Sequence, residues 1–327
     1  MKKIIVFLGL TLFLTSCLKE EIAISKPQKS NTGSITTTLN LSSDYKHQLY
    51  YNLEQNEIVL TAHREAWDLA FETSDDGYRI LMNNSRMGGL KIASSTDFSA
   101  ITSTTNDNWV YDPASANLDS TAIGDWRGKD DIYIFDLGTS LSGGSLGRYK
   151  FRVLSVSSTE YTIEYCKLNE TTPKQVTITK EKDYNFSLFS LLNDKQVTAE
   201  NTPKKTDFDV CLRTYTHIYT EDNGEPYLVV GLILNDKNTS VARIETDNYD
   251  GVTYQDALAQ MYSSAVNAIG FDWKTFSFDT YLYTITPNRV YVVKTQKDQY
   301  YKIRFLDFYD ELGAKGATKI EIQQLEE

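Results

Sequence analysis

Residues 149–156, YKFRVLSV, and residues 301–308, YKIRFLDF, are the same strand written twice. In each, a Tyr-Lys pair is followed by apolar side chains that alternate with Arg and other polar ones, the period of two that marks a strand buried on one face. Working outward, the chain repeats itself in the same order on both sides. YKHQLYYNLEQNEIV from Tyr45 aligns with YNFSLFSLLNDKQV from Tyr184, setting Tyr45, Leu49, Tyr50 and Leu53 over Tyr184, Leu188, Phe189 and Leu192. WDLAF (67–71) aligns with FDVCL (208–212), Asp68 over Asp209, and YTIEYCKL ending at Leu168 aligns with TKIEIQQL ending at Leu325. Four matches in register point to an internal duplication, a signal worth seeking before any single element is assigned.

The repeated segments predict an all-β, mainly antiparallel fold of two tandem β-sandwich-like units, 35–170 and 171–327. IYIF (132–135) and VYVV (290–293) read as central strands. SLSGGSLG before Tyr149, KTQKDQ before Tyr300 and EDNGEP with its Asn223-Gly224 read as hairpin turns. One window breaks the pattern: TYQDALAQMYSSAVNAIG (253–270) places Leu258, Met261, Ala265 and Ile269 at helical spacing. Thr253 and Asp256 form a capping-box pattern, and Gly270 stands at the C-terminal end. It predicts a helix inserted in the second unit, without a counterpart in the first.

The first residues carry a different kind of information. Lys2 and Lys3 precede an apolar run from Ile4 to Leu14, about half the roughly 20 residues that span a bilayer, so residues 1–16 read as a signal peptide. Leu14-Thr15-Ser16-Cys17 resembles the lipobox of bacterial lipoproteins, which implies cleavage before Cys17 and lipidation of its thiol and new amino terminus. Lys19-Glu20-Glu21 looks like the export tag that follows the acylated cysteine in Bacteroidota surface lipoproteins. Residues 17–34 then read as a lipidated tether. The expected location is the outer membrane, lipid-anchored and facing the cell exterior, with the lipid on Cys17 as the only membrane contact.

Composition limits the partners. The chain has 33 basic and 44 acidic residues, a net charge of −11, which becomes −13 once Lys2 and Lys3 leave with the signal peptide. Such a surface repels nucleic-acid phosphates and anionic lipid. Hydrophobic residues make up 41% and 22 tyrosines are present, enough to bury a core. Cys166 and Cys211 lie in apolar strand-like runs and are expected to be unpaired buried thiols.

Catalytic chemistry has no foothold. His47, His63 and His217 are far apart in sequence and read as surface residues, no His-x-x-x-His or Cys-x-x-Cys pair supplies a metal site, and GGSLG precedes a strand instead of opening a helix, so it cannot cradle a phosphate. Acidic pairs such as Asp75-Asp76 and Asp130-Asp131 read as solvated turns. The chain is expected not to be an enzyme.

WDLAF, the following YRILMNNSRMGG (78–89) and the closing NRVYVVKTQKDQYYKIRFLDFYDELGAKGATKIEIQQL resemble the HmuY family of Bacteroidota surface lipoproteins, here as a tandem duplication. The resemblance implies an all-β, haem-binding, non-catalytic protein that takes haem from host carriers and passes it to an outer-membrane transporter, as part of iron acquisition. It also implies His or Met axial ligands reaching the iron from loops at one end of the fold. The stretch before NRVYV, DWKTFSFDTYLYTITP, holds neither, and NDNWVYDPASANLDSTAIGDW in the first half also holds neither. The candidates left are Met82, Met87, Met261 and the histidines. Met87, in the glycine-flanked SRMGGL, and Met261, near the family's other ligand region, are the expected haem ligands. The alternative is an adhesin-like module that binds glycan or protein through aromatic edges and no longer binds haem.

Overall fold

The computed structural model describes residues 28–29, 33–219 and 224–327; the signal peptide, Cys17, most of the tether and Asn223 lie outside the described residues. The strands are β1 (Gln28–Lys29), β2 (Ile35–Asn40), β3 (His47–Asn52), β4 (Glu57–His63), β5 (Leu69–Glu72), β6 (Ile80–Met82), β7 (Gly89–Ile92), β8 (Tyr133–Asp136), β9 (Arg148–Val156) and β10 (Glu160–Lys167) before residue 170. After it come β11 (Lys174–Thr179), β12 (Phe186–Ser190), β13 (Lys195–Gln196), β14 (Val210–Tyr219), β15 (Glu225–Leu234), β16 (Ser240–Glu245), β17 (Lys274–Phe276), β18 (Tyr283–Ile285), β19 (Arg289–Lys294), β20 (Tyr300–Tyr309) and β21 (Lys315–Leu325). Among the described residues, two short α-helices, α1 (Thr198–Asn201) and α2 (Tyr254–Leu258), and three 3-10 turns complete the regular structure. The fold is all-β with antiparallel pairing throughout, as the alternating segments predict.

Two larger sheets have matching orders, β1-β2-β21-β20-β19-β16 and β11-β10-β9-β8-β7. IYIF and VYVV supply β8 and β19, each inside its sheet as their β-branched and aromatic content requires. Two four-stranded sheets, β13-β12-β5-β6 and β15-β14-β3-β4, draw strands from both sides of residue 170. Here β12 pairs with β5, and β14 with β3. At the edges of the larger sheets β2 pairs with β21 while β10 pairs with β11. The segments 35–170 and 171–327 thus exchange strands. One core joins Leu39, Leu49 and Leu53 to Leu212, Tyr291 and Ile320; the other joins Phe71, Phe135 and Phe151 to Phe189 and Leu191.

The duplication is legible in polar contacts as well. Lys150 and Lys302, the lysines of the two Tyr-Lys strands, are both buried, and each donates to carbonyls of a loop: Phe98 and Ile101 for one, Tyr249 and Val252 for the other. Arg152 pairs with Glu164, Arg304 with Glu321. The aligned aspartates cross over: Asp68 accepts from the Leu192 N–H and Asp209 from the Leu53 N–H, at 3.2 and 2.9 Å. Each buried carboxylate therefore secures a strand end from the opposite repeat.

The helix expected over 253–270 is shorter. Thr253 and Asp256 make the capping box, but the helix ends at Leu258. Ser263 exchanges backbone hydrogen bonds with Val241, and Gly270 with Leu232, so the chain spends its N–H groups on the edges of β16 and β15 instead of on a helix. Met261 leaves the helical face it was assigned to and stands 95% exposed. Cys166 and Cys211 are buried and free.

Candidate functional site

The segment NNSRMGG is built around a buried ion pair. Asp68, just before β5, accepts from the Arg86 guanidinium at 2.6 Å, and both side chains are fully excluded from solvent. Asn83 caps the 3-10 turn Asn84–Arg86: its Oδ1 accepts from Ser85 N–H, and its amide donates to the carbonyls of Arg64 and Trp67, each at 2.8 Å. These bonds pin the turn to the WDLAF strand. Met87 ends the turn in the left-handed region at φ 57°, an uncommon conformation for a side chain of its size. Its exposure is 38%. Behind the turn, Gly138 at φ +79° lies so close that a Cβ there would stand 2.2 Å from the Arg86 carbonyl.

Two residues beyond Met87, β7 begins. Together with β8 and the segment 93–110 it borders an open cleft of about 830 Å³ lined by Leu90, Ile92, Ile101, Val110 and Ile134, with Lys91 and Asp107 as charged neighbours. Ile92 and Val110 are about half exposed. Close by, Lys91 and Arg148 stand over the Trp109 ring at 4.5 and 5.1 Å from its centroid. The cleft is wide, with one apolar wall and a polar rim of Ser, Thr and Asn side chains, and Lys91 is the cation on its lining.

A second, smaller space of about 130 Å³ lies between the two four-stranded sheets, where the repeats meet. Trp67, Ala70 and Leu81 of one repeat face Phe208, Cys211 and Ile233 of the other across it. Asp112 reaches this space fully buried and accepts from the N–H groups of Met82 and Ala122; desolvation pushes its carboxyl up to about 6. Met82 lines the space but is 2% exposed. The volume is below the roughly 300–1,000 Å³ of a pocket for a drug-sized ligand, so a tetrapyrrole does not fit. The open cleft has the volume.

Met87 and Met261 are not brought into one site. Met87 precedes the edge strand β7 of one large sheet, whereas Met261 lies beside the edge strand β16 of the other, and neither belongs to a core cluster. His217 packs on Tyr219 and Phe271 with ring centroids 4.6 and 4.7 Å apart. Among the described residues no three His, Cys, Asp or Glu side chains converge as a metal site, and no helix is long and apolar enough to cross a membrane. Sequence reading missed the cleft, because its walls are contributed by a loop whose packing on β7 has no periodic signal.

The sequence pattern of the HmuY protein family matches residues 44–322. No curated protein sequence matches. The chain overlaps a solved candidate lipoprotein from Bacteroides fragilis over 92% of its own length and 94% of the other, at 11% identity and a TM-score of 0.28. A candidate HmuY-like haem-binding protein from Bacteroides vulgatus overlaps over 89% and 91% at 10% identity and 0.24. The apo HmuY analogue of Tannerella forsythia overlaps over 93% and 100% at 10% and 0.26. At these scores the overlaps add no argument, and the family assignment rests on the sequence match.

Proposed function

The chain belongs to the HmuY family, and from that premise we propose that it captures haem or a related tetrapyrrole without catalysis, as a lipid-anchored protein on the outer face of the outer membrane. In this reading haem is cargo, taken from host carriers and passed to an outer-membrane transporter, and the lipid on Cys17 is the only membrane contact. The macrocycle lies against the apolar wall of the β7 cleft, whose volume of about 830 Å³ is within the range of small-molecule sites. Met87 supplies a soft thioether to the iron. The carrying observation is the fixed presentation of Met87: a fully buried ion pair and a capped turn hold a partly exposed methionine two residues ahead of β7, the strand that borders the cleft. Lys91, on the lining of the cleft, gives a propionate a cationic neighbour.

Met261 is the weaker of the two donors, since it lies beside β16, in the large sheet that does not contribute to the β7 cleft. Titrating haem into the full-length protein and into Met87→Ala and Met261→Ala separates the donors. A Soret band is expected for the wild type, shifted and weakened by Met87→Ala and changed little by Met261→Ala. No Soret change in the wild type would leave the adhesin-like alternative, for which retention on a glycan array is the corresponding test.

A further inference from the structure

The strand register brings together two histidines that stand sixteen residues apart in sequence. His47 on β3 is the cross-strand partner of His63 on β4. The Arg64 N–H donates to the Lys46 carbonyl at 2.9 Å, which identifies His47–His63 as a non-hydrogen-bonded pair of the ladder, the type in which Cα atoms are about 4.5 Å apart and side chains closest. Both imidazoles leave the same face of the sheet, with Cβ atoms about 4.5–5.5 Å apart. His47 is partly buried and His63 exposed, and β4 is the edge strand of its sheet. From this geometry we propose that His47 and His63 form a cis bis-imidazole chelate for a divalent transition-metal ion, with solvent filling the remaining coordination positions.

The distances suit a bare ion. Metal–imidazole bonds of about 2.0–2.1 Å let two nitrogens from adjacent strands meet one centre. They do not suit haem, whose axial ligands must approach from opposite faces of a macrocycle that neighbouring strands leave no room for. The site is thus separate from the Met87 cleft and does not depend on it. The cost is one long hydrogen bond, 3.3 Å from the Glu65 N–H to His63 Nδ1. Two protein ligands and imidazole donors favour Cu²⁺ over Ni²⁺ and Zn²⁺ by the general order of divalent affinities.

Titration of CuCl₂ and ZnCl₂ into the full-length protein by calorimetry, with Cu²⁺ electron paramagnetic resonance, tests this. One ion per chain is expected, tighter for Cu²⁺, with hyperfine coupling to two nitrogens. His47→Gln and His63→Gln should each weaken binding by tenfold or more and the double variant no further, while His217→Gln leaves it unchanged. Unaltered circular dichroism of the variants shows that the fold is kept. Wild-type affinity in either single variant, or an equal loss in His217→Gln, overturns the proposal.

Discussion

Asp68 and Arg86 are fully buried, so each charge depends mainly on the other for its compensation. Removing one partner of such a pair costs about 3–5 kcal/mol, because the survivor stays buried and uncompensated. Asp68→Ala is therefore expected to lower the urea midpoint by that equivalent and to release the Leu192 N–H as well. Adding Arg86→Met should recover part of the loss; a double variant less stable than Asp68→Ala alone would show that the guanidinium is held by something else. Lys274 is a different case. Its ammonium donates to the Val230 carbonyl beneath the rings of Trp273 and Phe308, 4.0 and 4.8 Å from their centroids, and burial pushes its pKa from 10.5 down to about 7. Between those values the unfolded chain holds a proton that the folded one has released, so stability rises with pH across the window and is flat below it. Unfolding free energy should be larger at pH 9 than at pH 7, and Lys274→Met should shrink the difference to what Lys150, Lys180 and Lys302, whose pKa values burial also lowers, contribute. Above about pH 10 the buried tyrosines, whose pKa values are raised, reverse the slope.

At the scale of elements, the turn Asn84–Arg86 is positioned by what stands behind it. Gly138→Ala would place a methyl group against the Arg86 carbonyl in a backbone conformation that already disfavours a side chain. A loss of about 1–3 kcal/mol is expected from strain and displacement together, with a weaker Soret signal on haem titration. Gly128→Ala is the control: φ is +70° but nothing lies within 4 Å of the new Cβ, so its stability loss should be smaller and haem affinity unchanged. Elements of this kind show where sequence reading succeeds. The strands of both Tyr-Lys segments, the central IYIF and VYVV strands and the Thr253–Asp256 capping box follow from local period and local chemistry. The rest depends on which segments meet. The helical spacing of 253–270 is genuine, yet Ser263 and Gly270 find strand edges to bond, and tertiary pairing outweighs propensity. Scanning for His-x-x-x-His spacing cannot find His47 and His63, since only the register of β3 on β4 makes them neighbours. The cleft of β7 is equally hidden, because the 93–110 loop has no periodicity from which to infer its packing.

At the scale of the molecule, duplication and exchange make different claims on stability. Two repeats that folded independently would each keep a full set of sheet partners. Here β3 pairs with β14 and β12 with β5, so each four-stranded sheet takes two strands from either side of residue 170. Asp68 and Asp209 hold strand ends of the opposite repeat, and both large cores combine residues from the two segments. A sheet reduced to half its strands exposes unpaired backbone and loses its apolar partner, which leaves a two-stranded remnant marginal in water. The segments 35–170 and 171–327 made separately are therefore expected to lack a cooperative thermal transition, whereas co-expressed as two chains they should copurify and regain one. The intact protein should unfold in a single transition, with coincident fluorescence and circular dichroism curves. Two separated transitions in the intact chain, or a stably folded 35–170 segment alone, would mean that the exchanged pairings are dispensable and that each repeat can close its own sheets.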